Sequence, residues 1–249
     1  MWTAPALASE FRSIAGEAWR VVESQSRVAT MKLVDSLAEQ QLLEAELERS
    51  KPAIPIPCQH LHWLLATPFR YAPYPHGSRF RRARQREGCL YAAECIDTAI
   101  AEDAFYRVRF HLDAPGALLP RNPVERTAFS FRARSPASID LTIPPLDRNH
   151  AIWAHPSDYE PCQAMADAAR TAGAALLRYA SVRDPGHGAN WAVLDCRAIT
   201  TREPTRQQTW HYMIRPTQIE AVCEMPRMSL VFPYADWAAV DPRIPRQLA

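Results

Sequence analysis

The chain is poor in glycine, with 7 residues against 22 prolines in 249. Proline fixes φ and glycine frees it, so this balance argues against loose, swinging connections and for stiff, well-defined turns. No apolar run approaches the length that spans a bilayer. The N-terminal stretch MWTAPALASEFRS lacks the basic start and long apolar centre of a signal peptide, so a cytoplasmic protein is expected. Net charge is nearly absent: 29 Lys and Arg oppose 27 Asp and Glu. A formal charge of +2 gives no electrostatic case for a nucleic acid or a membrane surface as partner. No CxxC pair occurs among the six cysteines, 58, 89, 95, 162, 196 and 223. Most of them sit inside apolar runs, which fits reduced core thiols better than a disulfide framework. A GxGxxG after a strand, a Walker-type loop and an internal repeat are all missing as well.

What is present is an ordinary globular composition, 47% hydrophobic and 22% charged, with enough chain for one full core. Residues 4–18 are expected to form a short helix and Trp19–Val22 a strand-like run that carries Arg20. From Ser26 to Ser50 the positions Val28, Met31, Val34, Leu37, Leu42 and Ala45 fall at mostly helical spacing. This is a long amphipathic helix whose apolar face is expected to pack on the main domain. The proline-punctuated KPAIPIP at 51–57 is the best boundary, dividing an N-terminal helical region (1–50) from a core at 51–249. Beyond it, Thr127–Arg134 alternates like a strand with Phe129 and Phe131 on one face, and Ile139–Ile143 reads as a second strand. A helix through Cys162, Met165, Ala166, Ala169 and Ala172 stops at Gly173. Strands follow at Ala174–Ala180 and Trp191–Ile199, then at Gln208–Ile214, Gln218–Cys223 and Met228–Phe232. Strand and helix followed by consecutive strands predict an α+β protein with a mixed α/β sheet.

Chemically useful groups concentrate between Gly77 and Arg109. Arg79 stands in a loop, and Tyr91 lies in the apolar run Cys89–Ala93. A helix capped by Asp97 or Thr98 then carries Glu102 among Ile100, Ala101, Ala104 and Phe105. A carboxylate with such apolar neighbours is either lightly solvated or held for a purpose. The arginines at 81, 84 and 86 read as a solvated basic loop, since anchoring a phosphate takes one or two guanidinium groups. Cys58, His60 and His62 look like a small chelate but lack the further ligands a zinc site requires, so no metal is expected. Ser181 closes a buried strand where the turn-rich loop Val182–Gly188 begins, well placed to meet a ligand.

The ordered set Gly77-Ser-Arg79-Phe80, Leu90-Tyr91, Thr98-Ala99-Ile-Ala-Glu102, Tyr179-Ala-Ser181 and Asn190 resembles the RES-domain family, over roughly Trp19 to Ile199. That resemblance implies an ADP-ribosyltransferase-like core and an NAD-degrading enzyme, commonly the toxin of a bacterial toxin–antitoxin pair and often an NAD phosphorylase. Glu102, Arg79, Tyr91 and Ser181 match the family's catalytic set. Arg20 looks like its additional N-terminal arginine, and Asn190 joins Arg20, Arg79, Tyr91 and Ser181 on the substrate. NAD is then the substrate, with inorganic phosphate as co-substrate and no resident cofactor. The expected partner is a helix-turn-helix, Xre-type antitoxin, with self-association also implied and neither membrane nor direct nucleic-acid binding. A mono-ADP-ribosyltransferase acting on a macromolecule is the alternative, and a nucleic-acid-binding module using the Arg79–Arg86 loop is disfavoured by the near-zero charge.

Overall fold

Buried and exposed side chains alternate from Phe131 past Arg134 to Pro136, and the two strands expected there are one. The computed structural model describes residues 2–24, 33–70, 73–114 and 116–248. In it β3 runs from Val124 to Asp140, preceded by β1 (Arg12–Glu23) and β2 (Leu90–Ala93). It is followed by β4 (Leu176–Ala180), β5 (Ala189–Val193), β6 (Arg206–Ile214), β7 (Gln218–Cys223) and β8 (Met228–Pro233). These form one mixed sheet in the order β1-β2-β5-β4-β3-β6-β7-β8, with β1 also paired to β3. Only β3 and β4 run parallel, at Ser138–Asp140.

The length of β3 determines the architecture. One edge carries β1, from Arg12 opposite Ser138 to Glu23 opposite Arg126. The other carries β6 at its start and β4 at its end. Because β1 also meets β2 at Trp19 opposite Ala93, strands β1, β2, β5, β4 and β3 close a ring, and β6–β8 extend it as an antiparallel meander. Pro136 lacks the N–H a ladder needs, and there the β1 pairing jumps from Ser135 to Ser138. The proline makes an irregularity inside one strand, where the sequence reading ended the first strand before it.

Residues 12–23 correct the expected N-terminal helix, which is confined to α1 (Ala4–Ala8). Trp19, Val21 and Val22 suit a pleated surface, and pairing with β3 extends the strand through Gly16. The next helix, α2 (Leu37–Ser50), corrects a second expectation. Leu37 and Leu42 of the expected face are 72% and 62% exposed and Ala45 is exposed as well, so that face does not pack on the main domain. Leu47, 45% exposed, points away from that face, so the leucines of the helix gather on no single side. A 2.6 Å ion pair from Arg70 to Glu48 ties the helix down near its end. The earlier part of that expectation, with Val28 and Met31, lies outside the described residues.

Short α3 (Trp63–Ala66) packs with Phe131, Trp191 and Val193 in one core cluster. The long helix α4 (Ile96–Leu112) lays Ile100, Ala104, Phe105 and Val108 against Trp210, Tyr212 and Ile219. Its N-cap is Cys95, not Asp97 or Thr98. Buried Thr98 instead donates to Asp184 Oδ2 at 2.7 Å. After α5 (His150–Trp153), α6 (Glu160–Ala172) buries Met165, Ala166 and Ala169 against Phe80 and Leu177. It ends at Gly173, whose φ of +88° is the left-handed conformation glycine adopts without strain. Helix α7 (Tyr234–Val240), unforeseen in sequence, caps the meander.

Cysteine pairing is a further correction. Cys58 and Cys196, 138 residues apart, are joined by a disulfide with Cα atoms 5.9 Å apart. Cys89, Cys162 and Cys223 are buried thiols and Cys95 is an exposed one. The Cys58-His60-His62 triplet is not arranged as a ligand set, since Cys58 is in the disulfide and His62 Nδ1 accepts from Leu64 N–H at the start of α3.

Candidate active site

Closure of the ring brings β1 beside β2 and leaves a cavity of about 350 Å³ between these strands and α4. Its size falls in the range of small-molecule sites. Arg20 and Trp19 reach it from β1, Ser78 and Arg79 from the following loop, and Tyr91 from β2. Glu102, Asp103 and Tyr106 reach it from α4, and Tyr159, Tyr179, Arg183 and Asn190 complete the wall.

Glu102 is the best-positioned group. Its apolar neighbours Ile100, Ala104 and Phe105 turn into the core, and its carboxylate faces the opposite way into polar company. Ser181 Oγ donates to Glu102 Oε1 at 2.7 Å, and Asn190 Nδ2 donates to the same oxygen at 2.7 Å. Among the described residues no hydrogen bond reaches Oε2. One oxygen is therefore fixed by two donors and the other is left to a ligand.

Ser181 itself, 1% exposed, stands behind Glu102 and not on the cavity wall. Its hydroxyl accepts from Arg183 N–H at 3.1 Å and from Asp184 N–H at 3.0 Å. Those two donors occupy its lone pairs, so its one proton points at Glu102. Asp184 anchors the loop to α4 through Thr98 and binds Gly186 N–H and Gly188 N–H at 2.8 and 3.1 Å. Gly188 is required there, because a Cβ would stand 2.1 Å from Thr98 Oγ1.

The arginines divide. Arg20 Nη1 donates to the Tyr91 carbonyl at 2.9 Å, which holds its guanidinium along the wall. Arg79 is buried, donates through Nη1 to the carbonyls of Trp153 and His155 at 2.7 and 3.0 Å, and lies 4.7 Å from the Tyr159 ring centroid. Of its neighbours, Arg82 pairs with Asp167 at 2.6 Å on α6, and Arg84 and Arg86 are exposed. Tyr91 acts partly through its hydroxyl, which accepts from Phe80 N–H at 2.9 Å and bonds Ser78 Oγ at 2.8 Å, pinning the loop that presents Arg79. Burial pushes its phenol well above the usual range, so it remains neutral. Asn190 is 2% exposed, and its Oδ1 has no hydrogen-bond partner among the described residues.

Five of the six residues singled out in the sequence thus share the cavity wall, and the sixth, Ser181, acts on it through Glu102. Sequence reasoning missed Asp103, Tyr106, Tyr159 and Arg183, and it quoted Tyr179 within a motif without giving it a place in the site. Tyr106 was findable, one helical turn beyond Glu102 and so on the same face. Burial raises the Asp103 carboxyl above its ordinary range, offset in part by the neighbouring Arg126 at 3.2 Å. At Tyr159 burial pushes the phenol up, but the charges of Arg79 and Arg183 outweigh it and leave the group below its ordinary value. Three guanidinium groups and four tyrosines beside the carboxyl groups of Glu102 and Asp103 suit an anionic ligand with flat rings.

No curated protein matches the chain by sequence. Among solved structures it is similar to the M. tuberculosis MbcT–MbcA toxin–antitoxin complex, with 13% identity, a TM-score of 0.42, and 95% of this chain and 97% of that one covered. The RES domain model matches residues 54–215, which include Arg79, Tyr91, Glu102, Ser181 and Asn190. With most of its length matched, the chain belongs to the RES domain family.

Proposed function

We propose that the protein cleaves the nicotinamide–ribose bond of NAD, acting as an NAD phosphorylase with inorganic phosphate as acceptor, and that it is the toxin of a toxin–antitoxin pair. The observation that carries this reading is the Glu102 carboxylate, with one oxygen held by Ser181 and Asn190 and the other open to a cavity lined by arginine and tyrosine. The C–N bond breaks with its electron pair leaving on nicotinamide, which departs neutral and so needs little acid catalysis. Positive charge then develops on the ribose, and a fixed carboxylate stabilises it while accepting a hydrogen bond from a ribose hydroxyl. Arg20 and Arg79 hold the pyrophosphate as planar donors, Tyr91 offers a flat face to nicotinamide or ribose, and Asn190 Oδ1 is an acceptor for a substrate hydroxyl or amide. A phosphate oxygen captures the cation and gives ADP-ribose 1-phosphate. Water in its place gives ADP-ribose and a proton, the glycohydrolase outcome.

No resident cofactor takes part in this chemistry. The reading carries with it a cytoplasmic protein neutralised by a helix-turn-helix antitoxin and able to self-associate; no helix among the described residues is long and apolar enough to cross a membrane. The test is product identity after incubation of purified protein with labelled NAD, with and without phosphate. ADP-ribose 1-phosphate identifies the phosphorylase, and ADP-ribose in both conditions the glycohydrolase. Label on a macromolecule identifies ADP-ribosyl transfer, and no nicotinamide release refutes the reading.

A further inference from the structure

Arg183 lines the cavity, is 2% exposed, and belongs to no motif that marked the site in sequence. Two of its partners, Trp237 and Asp241, come from a part of the chain beyond residue 215, where the family match ends. Arg183 Nη1 donates to Asp241 Oδ2 at 2.9 Å, and Asp241 is fully buried. Trp237 Nε1 donates to the Arg183 carbonyl at 2.7 Å, and the guanidinium lies 3.9 Å from the Phe105 ring centroid. The same Asp241 carboxylate accepts from Arg243, whose Nη2 reaches the Pro156 carbonyl at 2.8 Å. Arg183 Nη2 meets that carbonyl too and approaches the Tyr159 hydroxyl at 3.4 Å. One carboxylate after α7 thereby joins the loop behind Glu102 to the segment that presents Tyr159.

We propose that Asp241 is a positioning residue for Glu102: it fixes Arg183, and the backbone of Arg183 fixes the Ser181 hydroxyl that orients the carboxylate. The inference rests on the proposed NAD cleavage for its kinetic readout. The chain of contacts is short. Arg183 N–H binds Ser181 Oγ, and Ser181 Oγ binds Glu102 Oε1. An ion pair that only stabilised the fold would need no such link. Removing the charge of Asp241 leaves a buried guanidinium uncompensated, and the loop must shift to rehydrate it. A shift of about 1 Å at a reacting group costs on the order of 10²-fold in rate.

The experiment uses the full chain and Asp241→Asn, with Trp237→Phe as a second variant should the first fail to fold. The expected result is a loss of about 10- to 100-fold in kcat for nicotinamide release, with KM changed no more than about threefold. Amide exchange of residues 181–188 should rise, and in a Glu102→Gln background the second substitution should slow the residual rate no further. A kcat within about threefold of the parent, or the same fold-loss in both backgrounds, overturns the proposal. If the parent protein releases no nicotinamide, the proposed reaction is what fails. Amide exchange at 181–188 then decides alone, unchanged protection in the variant overturning the positioning role.

Discussion

Glu102→Gln isolates charge from shape. The glutamine oxygen can keep both bonds that Glu102 Oε1 makes, from Ser181 Oγ and Asn190 Nδ2, which leaves an NH₂ group where Oε2 stood. The side chain stays in place, the negative charge vanishes, and the open acceptor becomes a donor. At an effective dielectric of about 20, a unit charge about 4 Å from a developing cation contributes about 4 kcal/mol. That is roughly a thousandfold in rate, and single preorganised groups of this kind are typically worth 10²- to 10³-fold. The assay is nicotinamide release at saturating NAD, with phosphate present and absent, beside thermal melting as a control for folding. The loss should fall on kcat with KM nearly unchanged, because the ground state of NAD carries less charge at that carbon than the transition state does. A variant that melts like the parent and keeps kcat within about tenfold would refute the electrostatic role of Glu102.

Ser181→Ala removes the donor behind Glu102 and strands the N–H groups of Arg183 and Asp184. It should lower stability by about 1–3 kcal/mol in chemical melts and slow nicotinamide release by about tenfold or more. Glu17 gives a pH test. Burial opposes ionisation, but hydrogen bonds from Ser130, Arg206 and Thr205 outweigh it and lower its pKa to about 2. A depressed native pKa contributes stability that is complete above the unfolded value near 4.5 and lost as pH falls toward 2. Glu17→Gln should therefore be less stable than the parent at pH 7 by about 1 kcal/mol after solvent screening, with the gap closing between about pH 4.5 and 2 in urea melts; a gap that persists at the acid end contradicts the sign. Joint replacement of Cys58 and Cys196 by alanine should cost about 2–4 kcal/mol, because the bridge closes a long loop; equal melting temperatures of parent and variant under oxidising conditions would show that the bridge adds nothing.

Local chemistry was legible wherever one segment carried its own signal. Gly173 stops α6 because the left-handed residue is written in the sequence, and the β6–β8 meander shows in polar and apolar alternation. Tertiary overrides were not legible. Arg12–Glu23 is a strand because β3 offers it a partner along its length, which composition near the N-terminus does not reveal. Leu37, Leu42 and Ala45 do fall on one side of α2, yet that side is exposed, because helical spacing marks a face without supplying a surface for it to pack against. The Cys58–Cys196 bridge joins residues too far apart in sequence for any spacing rule to see.

The candidate site divides in the same way. Glu102, Tyr91, Arg79, Ser181 and Asn190 lie in short motifs on their own strand, loop or helix, and the family resemblance that those motifs carry is what marks them. Arg183 becomes informative only when Asp241, 58 residues later, supplies its counter-charge, and neither is unusual in isolation. The physical reason is that a carboxylate needs immediate donors to be oriented, whereas those donors need a rigid loop, and rigidity is supplied by whatever part of the chain packs behind it. Here that part is α7 and the turn after it, beyond the family match, where Trp237 stacks on Phe232 and binds the Arg183 carbonyl. The groups proposed to act on the substrate can therefore be read from motifs, while the contacts that hold Glu102 in one orientation have to be read from packing.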